Sequence, residues 1–98
     1  IPDAYFSGPL ALDYILSERS KVIKGLKDDP VAGFANGIIV PEIVSGNTLF
    51  KSMVYMTGAC AGGIVVGGKV PILLTSRADS SAARLSSISL ASIWSNAN

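Results

Sequence analysis

The sequence predicts an α/β chain, on three observations. Three short continuous apolar runs, residues 37–40, 63–66 and 71–75, have the composition of buried strands. Around them lie segments whose apolar residues recur at helical spacing. Finally, strand, helix and strand follow one another within about thirty residues, the length of a βαβ unit, which crosses over right-handed.

The first helix is expected between Pro9, at a first-turn position, and Gly25. Leu12, Ile15, Leu16, Val22, Ile23 and Leu26 fall on one face, while Asp13, Ser17, Glu18, Lys21 and Lys24 face away. Arg19 interrupts the apolar stripe, as an Arg does when its stem lies on the core and its head stays wet. Lys24, Gly25 and Lys27 suit the helix end, and Asp28-Asp29-Pro30 makes a turn. Gly37-Ile38-Ile39-Val40 is the first strand, closed by Pro41. Ser45-Gly46-Asn47-Thr48 then opens a helix that carries Leu49, Phe50, Met53, Val54 and Met56. The run 63–66 is the second strand and 71–75 the third, followed by a helix from about residue 79 to 94. Apolar residues spread around more than one face of that last helix, and the serines between them allow close packing, so it is expected to be buried on two sides.

With 98 residues, 49% hydrophobic and 15% charged, the chain is too apolar for its size, a typical soluble domain being about 25% charged. It starts at Ile1 with no leader pattern, and the expectation is a fragment of a larger protein. With no His, neither a Ser-His-Asp triad nor an imidazole-held metal is available within it, and one Cys precludes an internal disulfide or thiolate cluster. A net charge of +1 provides no field for nucleic acid, and the cysteine usage suggests a reducing compartment, the cytoplasm. Residues 52–68 carry no charge and contain Gly58-x-x-x-Gly62 and Gly63-x-x-x-Gly67. Seventeen residues are short for a span of about 20, and the glycines suit a loop or close packing, so no membrane segment is expected.

Nine of the fifteen charges lie in residues 1–29; the other sixty-nine residues hold Glu42, Lys51, Lys69, Arg77, Asp79 and Arg84. A charge in so apolar a stretch needs water, a partner or a ligand. In open α/β sheets ligands sit beyond the carboxyl ends of strands, and two segments occupy such places. In Pro41-Glu42-Ile43-Val44-Ser45-Gly46-Asn47, Gly46 would admit a ligand close to the backbone and the helix start would offer N–H groups to an anion; equally, Ser45 or Asn47 is simply a helix cap. In Thr75-Ser76-Arg77-Ala78-Asp79-Ser80, Arg77 could fork onto a phosphate, Ser76 bond a carbonyl or leaving sulfur, and Asp79 act as a base. The plainer alternative has Asp79 or Ser80 as N-cap and Arg77 in a salt bridge. Cys60 is read as a small packing residue. Lys51, one turn past Asn47, is either a solvated charge or an extra cation for an anion nearby.

The link 67–70 is too short for a crossover, so 71–75 pairs with 63–66 only as a hairpin. That would bring Ser76 and Arg77 out at the opposite edge from Asn47, unless the chain leaves the sheet.

These segments, with Gly8-Pro9-Leu10-Ala11-Leu12-Asp13 before them, resemble the phosphate acetyltransferase/phosphate butyryltransferase family in order and spacing, from about Gly8 to Ile93 and closest to the butyryltransferase-like branch. The resemblance implies a three-layer αβα fold of the isocitrate/isopropylmalate dehydrogenase-like type, in a two-domain enzyme of roughly 300 residues. This chain would be the C-terminal part, inactive or nearly so by itself, the family's last segment crossing between domains and so resolving the edge conflict. The implied reaction exchanges an acyl group between coenzyme A, a substrate rather than a cofactor, and inorganic phosphate, without a metal. By position, Ser76 and Arg77 match the family's Ser-Arg pair, Arg77 holding anionic ligand, and Gly46 and Asn47 match its Gly-Asn turn. Classical acetyltransferases carry an acidic residue near the place of Ala83, so Asp79 is the nearest base. The partners implied are acyl-CoA, phosphate, the rest of the enzyme and a second copy in a homo-oligomer. The alternatives are a relative using another acyl carrier and a non-catalytic α/β interaction domain.

Overall fold

The computed structural model describes residues 1–97, which divide into two compact units, Ile1–Pro41 and the chain from Glu42 onward. Their elements are four helices: α1 (Leu12–Leu16), α2 (Glu18–Ile23), α3 (Ile43–Thr57) and α4 (Ser81–Ala97). No β-sheet forms among the described residues. The only ladder contact is one antiparallel bridge between Val65 and Ile72, with N–H to C=O distances of 2.9 and 3.2 Å in the two directions.

In the first unit the single helix expected between Pro9 and Gly25 is broken at Ser17, whose backbone is extended (φ −126°, ψ 115°). Ser17 ends α1 and caps α2, its side chain accepting the Ser20 N–H at 3.2 Å. Pro9 therefore lies outside either helix. The end of α2 falls where the sequence places it. Gly25 is left-handed (φ 83°). Its N–H reaches the Val22 carbonyl at 3.2 Å and the Leu26 N–H reaches Lys21 at 3.0 Å, a Schellman arrangement. The turn at Asp28-Asp29-Pro30 is held by the Asp29 carboxylate, whose Oδ1 accepts from Val31 and Ala32 N–H at 2.8 and 2.9 Å and whose Oδ2 accepts from the Ser7 hydroxyl. The Gly33 N–H then donates to the Tyr14 carbonyl at 2.6 Å, fastening the turn to α1. Lys21 is buried, its ammonium donating to the Asp29 carbonyl at 2.5 Å and lying 5.2 Å from the Phe34 ring centre.

In the second unit α3 ends at left-handed Gly58 (φ 71°). α4 buries a stripe of small residues, Ala83, Ser87 and Ala91, spaced four apart. The segment 60–63 lies against this stripe. The Gly63 N–H donates to Ser87 Oγ at 3.0 Å, and a Cβ on Gly62 would stand 3.0 Å from that of Ser86. Cys60 is exposed rather than packed inside, with its sulfur 3.3 Å from Ser86 Oγ. Ser86 already donates to the Ala82 carbonyl, so the thiol is the donor. The other faces of α4 are open, with Leu85, Ile88 and Ile93 exposed, contrary to the expected burial on two sides.

The missing strands have a physical reason. A strand is stable only when a neighbour takes its N–H and C=O groups. Among the described residues no backbone hydrogen bond joins 37–40 to another segment, and Ile39 is 85% exposed. Residues 63–66 and 71–75 meet as a hairpin, as their short link requires, but with one paired position and no third strand. The buried hydrophobic residues among those described are Ala32, Ala83 and Ala91. The accessible surface, 7808 Å², compares with about 5,300 Å² for a compact protein of this mass. No helix among the described residues is long and apolar enough to cross a membrane.

Gly33 is the backbone position on which the first unit is most exacting. Its φ is +82°, and a Cβ there would lie 2.9 Å from the Glu18 Cα. Gly33→Ala is expected to destabilise by about 1–3 kcal/mol, read as a lower thermal midpoint by circular dichroism. Gly37→Ala, whose Cβ meets nothing within 4 Å, is the control and should stay within about 0.5 kcal/mol.

Candidate functional site

The amino end of α3 is capped by Glu42, not by Ser45 or Asn47. Glu42 is extended (φ −163°, ψ 168°), and its carboxylate accepts the Val44 and Ser45 N–H groups, each at 2.7 Å, together with the Ser45 hydroxyl. The Ser45 hydroxyl, then the two N–H groups, hold the Glu42 carboxyl below its ordinary value of 4.5. The helix start that could have offered N–H groups to an external anion is thus served, at Val44 and Ser45, by the chain's own carboxylate. Gly46 lies in the first turn of α3, its N–H donating to the Glu42 carbonyl at 3.2 Å, and its φ is not positive. Helical geometry there makes no demand for glycine.

The segment 76–80 is a tight turn closed twice. Asp79 N–H donates to the Ser76 carbonyl at 3.1 Å, and Asp79 Oδ2 accepts the Ser76 N–H at 2.7 Å. Ser76 Oγ accepts the Ala78 N–H at 3.3 Å. Ser80 caps α4, accepting the Ala83 N–H at 3.2 Å. One half of the plainer alternative therefore holds for Ser80. The other half does not, because Arg77 is in no ion pair among the described residues. Its side chain is exposed, and its carbonyl takes a 3.5 Å hydrogen bond from Arg84 Nη2.

Asn47, Ser76 and Asp79 nevertheless meet. All three line one hollow of about 370 Å³, together with Phe50, Lys51, Leu74, Ala61, Gly63 and Ser87. The hairpin argument placed Ser76 and Asn47 at opposite edges, but it presupposed a sheet. With a single bridge at Val65 and Ile72 there are no sheet edges to separate them. Gly46 and Arg77 line neither this hollow nor a second one of about 210 Å³ that includes Lys51, Tyr55, Cys60, Asp79 and Ser80. Sequence reasoning did not select Ser87 and Gly63, which their mutual hydrogen bond places at the wall. The small-residue spacing of Ala83, Ser87 and Ala91 was the available signal.

Chemically, the hollow combines an amide, a hydroxyl, a carboxylate and an ammonium on a partly apolar wall. Asp79 Oδ2 is engaged with backbone, whereas Oδ1 takes no hydrogen bond among the described residues. One carboxylate can therefore both fix the turn and exchange a proton with a bound ligand.

A family profile described as "Phosphate acetyl/butaryl transferase" matches residues 1–92. The chain belongs to this family. It is 43% identical to a phosphate acetyltransferase of Rhizobium meliloti over 94 residues, covering 96% of this chain and 29% of that protein. To a phosphate acetyltransferase of Thermotoga maritima it is 42% identical, over 89% of this chain and 29% of the relative. To a phosphate butyryltransferase of Clostridium acetobutylicum it is 45% identical, over 88% of this chain and 28% of the relative. The chain thus spans under a third of the length of the curated relatives it matches, and identity is nearly the same to relatives of either name.

The Glu42 cap has a pH signature. A carboxyl whose value is lowered by folding contributes stability that is complete above its unfolded value and lost as pH falls through the folded one. The thermal midpoint is therefore expected to drop between about pH 5 and pH 3. Helical circular dichroism melts should show a smaller drop in Glu42→Gln, with Asp13 and Asp29, also lowered, accounting for what remains.

Proposed function

We propose that this chain is the C-terminal part of an enzyme exchanging an acyl group between coenzyme A and inorganic phosphate: acyl-CoA + phosphate = acyl phosphate + CoA. Family membership supports the reaction class. The observation that carries the reading to individual residues is the meeting of Asn47 with Ser76 and Asp79 around one hollow.

In the direction of acyl-CoA synthesis, the thiol sulfur attacks the carbonyl carbon of the acyl phosphate. The S–H proton passes to Asp79, the C–S bond forms, and phosphate leaves with the electron pair of the broken C–O bond. In reverse, phosphate oxygen attacks the thioester, the C–S bond breaks, and the same proton returns to the departing sulfur. Ser76 donates a hydrogen bond to the sulfur or the carbonyl oxygen. Arg77, exposed beside the turn, holds an anionic portion of the ligand. Gly46 and Asn47 form the substrate side of the cleft. Direct transfer of this kind needs neither a metal nor a resident cofactor.

The same reading supplies a partner for the exposed apolar runs. Residues 37–40, 63–66 and 71–75 become strands of a three-layer αβα fold, of the isocitrate/isopropylmalate dehydrogenase-like type, when the rest of the enzyme provides neighbouring strands. The open faces of α4 are compatible with assembly as a homo-oligomer. Soluble, polar substrates of this kind suit the cytoplasm.

The test is phosphate-dependent release of CoA from acetyl-, propionyl- and butyryl-CoA by the complete polypeptide. Asp79→Asn is expected to lower kcat by about 10²–10⁴-fold, and Arg77→Ala to lower kcat/KM by roughly ten- to hundredfold. Release from no thioester would overturn the reading, leaving another acyl carrier or a non-catalytic α/β interaction domain.

A further inference from the structure

We infer that Lys51 is a phosphoryl-binding residue of the cleft, its ammonium taking an oxygen of a phosphate group on the substrate; the inference rests on the acyl-transfer reading above. The placement follows from α3. Asn47 and Lys51 stand four residues apart within one continuous helix, so they share a face. Asn47 lines the larger hollow, and Lys51 lines both that hollow and the smaller one. Among the described residues, Lys51, Asp79 and Ala61 are the ones common to the two, which puts Lys51 and Asp79 where the hollows adjoin.

Three further observations make this cation the one available to an anion. First, Lys51 is the only Lys or Arg among the described residues lining either hollow, whereas Arg77 and Arg84 line neither. Second, it is not neutralised. The ion pair found among the described residues joins Lys24 to Asp13, so Asp79 shares the wall with Lys51 without being within salt-bridge distance of it. Third, the Val44 and Ser45 N–H groups at the start of the same helix, which would otherwise attract the anion, are filled by Glu42.

The side chain also lies near two aromatic rings. Its nitrogen lies 5.5 Å from the Phe50 ring centre and 5.9 Å from that of Tyr55, and the residue is half-buried. Aromatic faces attract the cation without consuming its hydrogen-bond donors in a salt bridge, and partial burial strengthens its attraction for an incoming anion. A hollow of about 370 Å³ accommodates a phosphate with a short acyl group attached.

Inorganic or acyl phosphate and the phosphates of coenzyme A carry the same recognisable chemistry, and steady-state kinetics separates them. Lys51→Gln and Lys51→Arg would be made in the complete polypeptide. KM for phosphate, KM for acyl-CoA and kcat would be measured, alongside calorimetric titration with inorganic phosphate. Lys51→Gln is expected to raise one KM by roughly ten- to hundredfold, with Lys51→Arg restoring it to within about threefold and circular dichroism unchanged. A rise confined to phosphate identifies inorganic phosphate as the ligand; a rise confined to acyl-CoA identifies the phosphates of coenzyme A. Both KM values staying within about twofold, or failure of Arg to restore the loss, would overturn the inference. If the unsubstituted polypeptide releases no CoA, the acyl-transfer reading fails separately. Phosphate binding abolished by Lys51→Gln then still upholds Lys51, while binding that is absent or insensitive to the substitution overturns it.

Discussion

The second unit depends on how closely residues 60–63 approach α4. A main chain can lie within van der Waals contact of a helix only where both surfaces are small, and here Gly62 faces Ser86 while Ala83, Ser87 and Ala91 form the buried stripe. Ser87 is the joint of this contact. Its hydroxyl donates to the Ala83 carbonyl at 3.1 Å and accepts from Gly63, so a polar group on an otherwise apolar stripe has partners both as donor and as acceptor. The wall of the larger hollow, formed by Gly63, Ala61 and Ser87, is a direct result. A larger side chain at Gly62 or Ser86 would push the segment off α4 and alter that wall.

The charged residues at and near the larger hollow do not pair with one another. Glu42 satisfies the start of α3 and contributes its negative charge there. Asp79 is tied by one oxygen to the backbone of Ser76. The Lys51 nitrogen lies 5.5 and 5.9 Å from two ring centres, with no carboxylate in salt-bridge range among the described residues. A conventional surface ion pair would have left neither charge free for a ligand. Lys24 and Asp13 show the contrast: at 2.6 Å, each nearly half exposed, they serve each other, with Tyr14 stacked under the ammonium at 4.3 Å.

The parts legible from the residues were those fixed by local geometry. Gly25 as the end of α2, the turn at Asp29 and the span of α4 follow from backbone preferences that act within a few positions. The Ser76–Ser80 segment was recognisable because its residue types must hydrogen-bond their own neighbours when placed between an apolar run and a helix. Three features were not legible. The break at Ser17 sits inside an unbroken amphipathic pattern, and a serine in that pattern is as compatible with continuing as with capping. The Glu42 cap was missed because Ser and Asn stood close by, and shorter side chains are the usual caps. The sheet failed for a different reason. Apolar runs report that a segment is suited to burial, but a strand exists only with its neighbour, and residues 37–40 have none among those described.

The two short helices of the first unit carry a consequence for how that unit holds together. Helices of five and six residues are far below the length at which an isolated helix persists in water. Their order is borrowed from the Ser17 cap and from the Gly33–Tyr14 hydrogen bond, which ties α1 to the loop that the Asp29 turn shapes. Loss of the Gly33–Tyr14 hydrogen bond would leave α1 with no backbone tie to the loop, so protection of its amide protons should track that one bond.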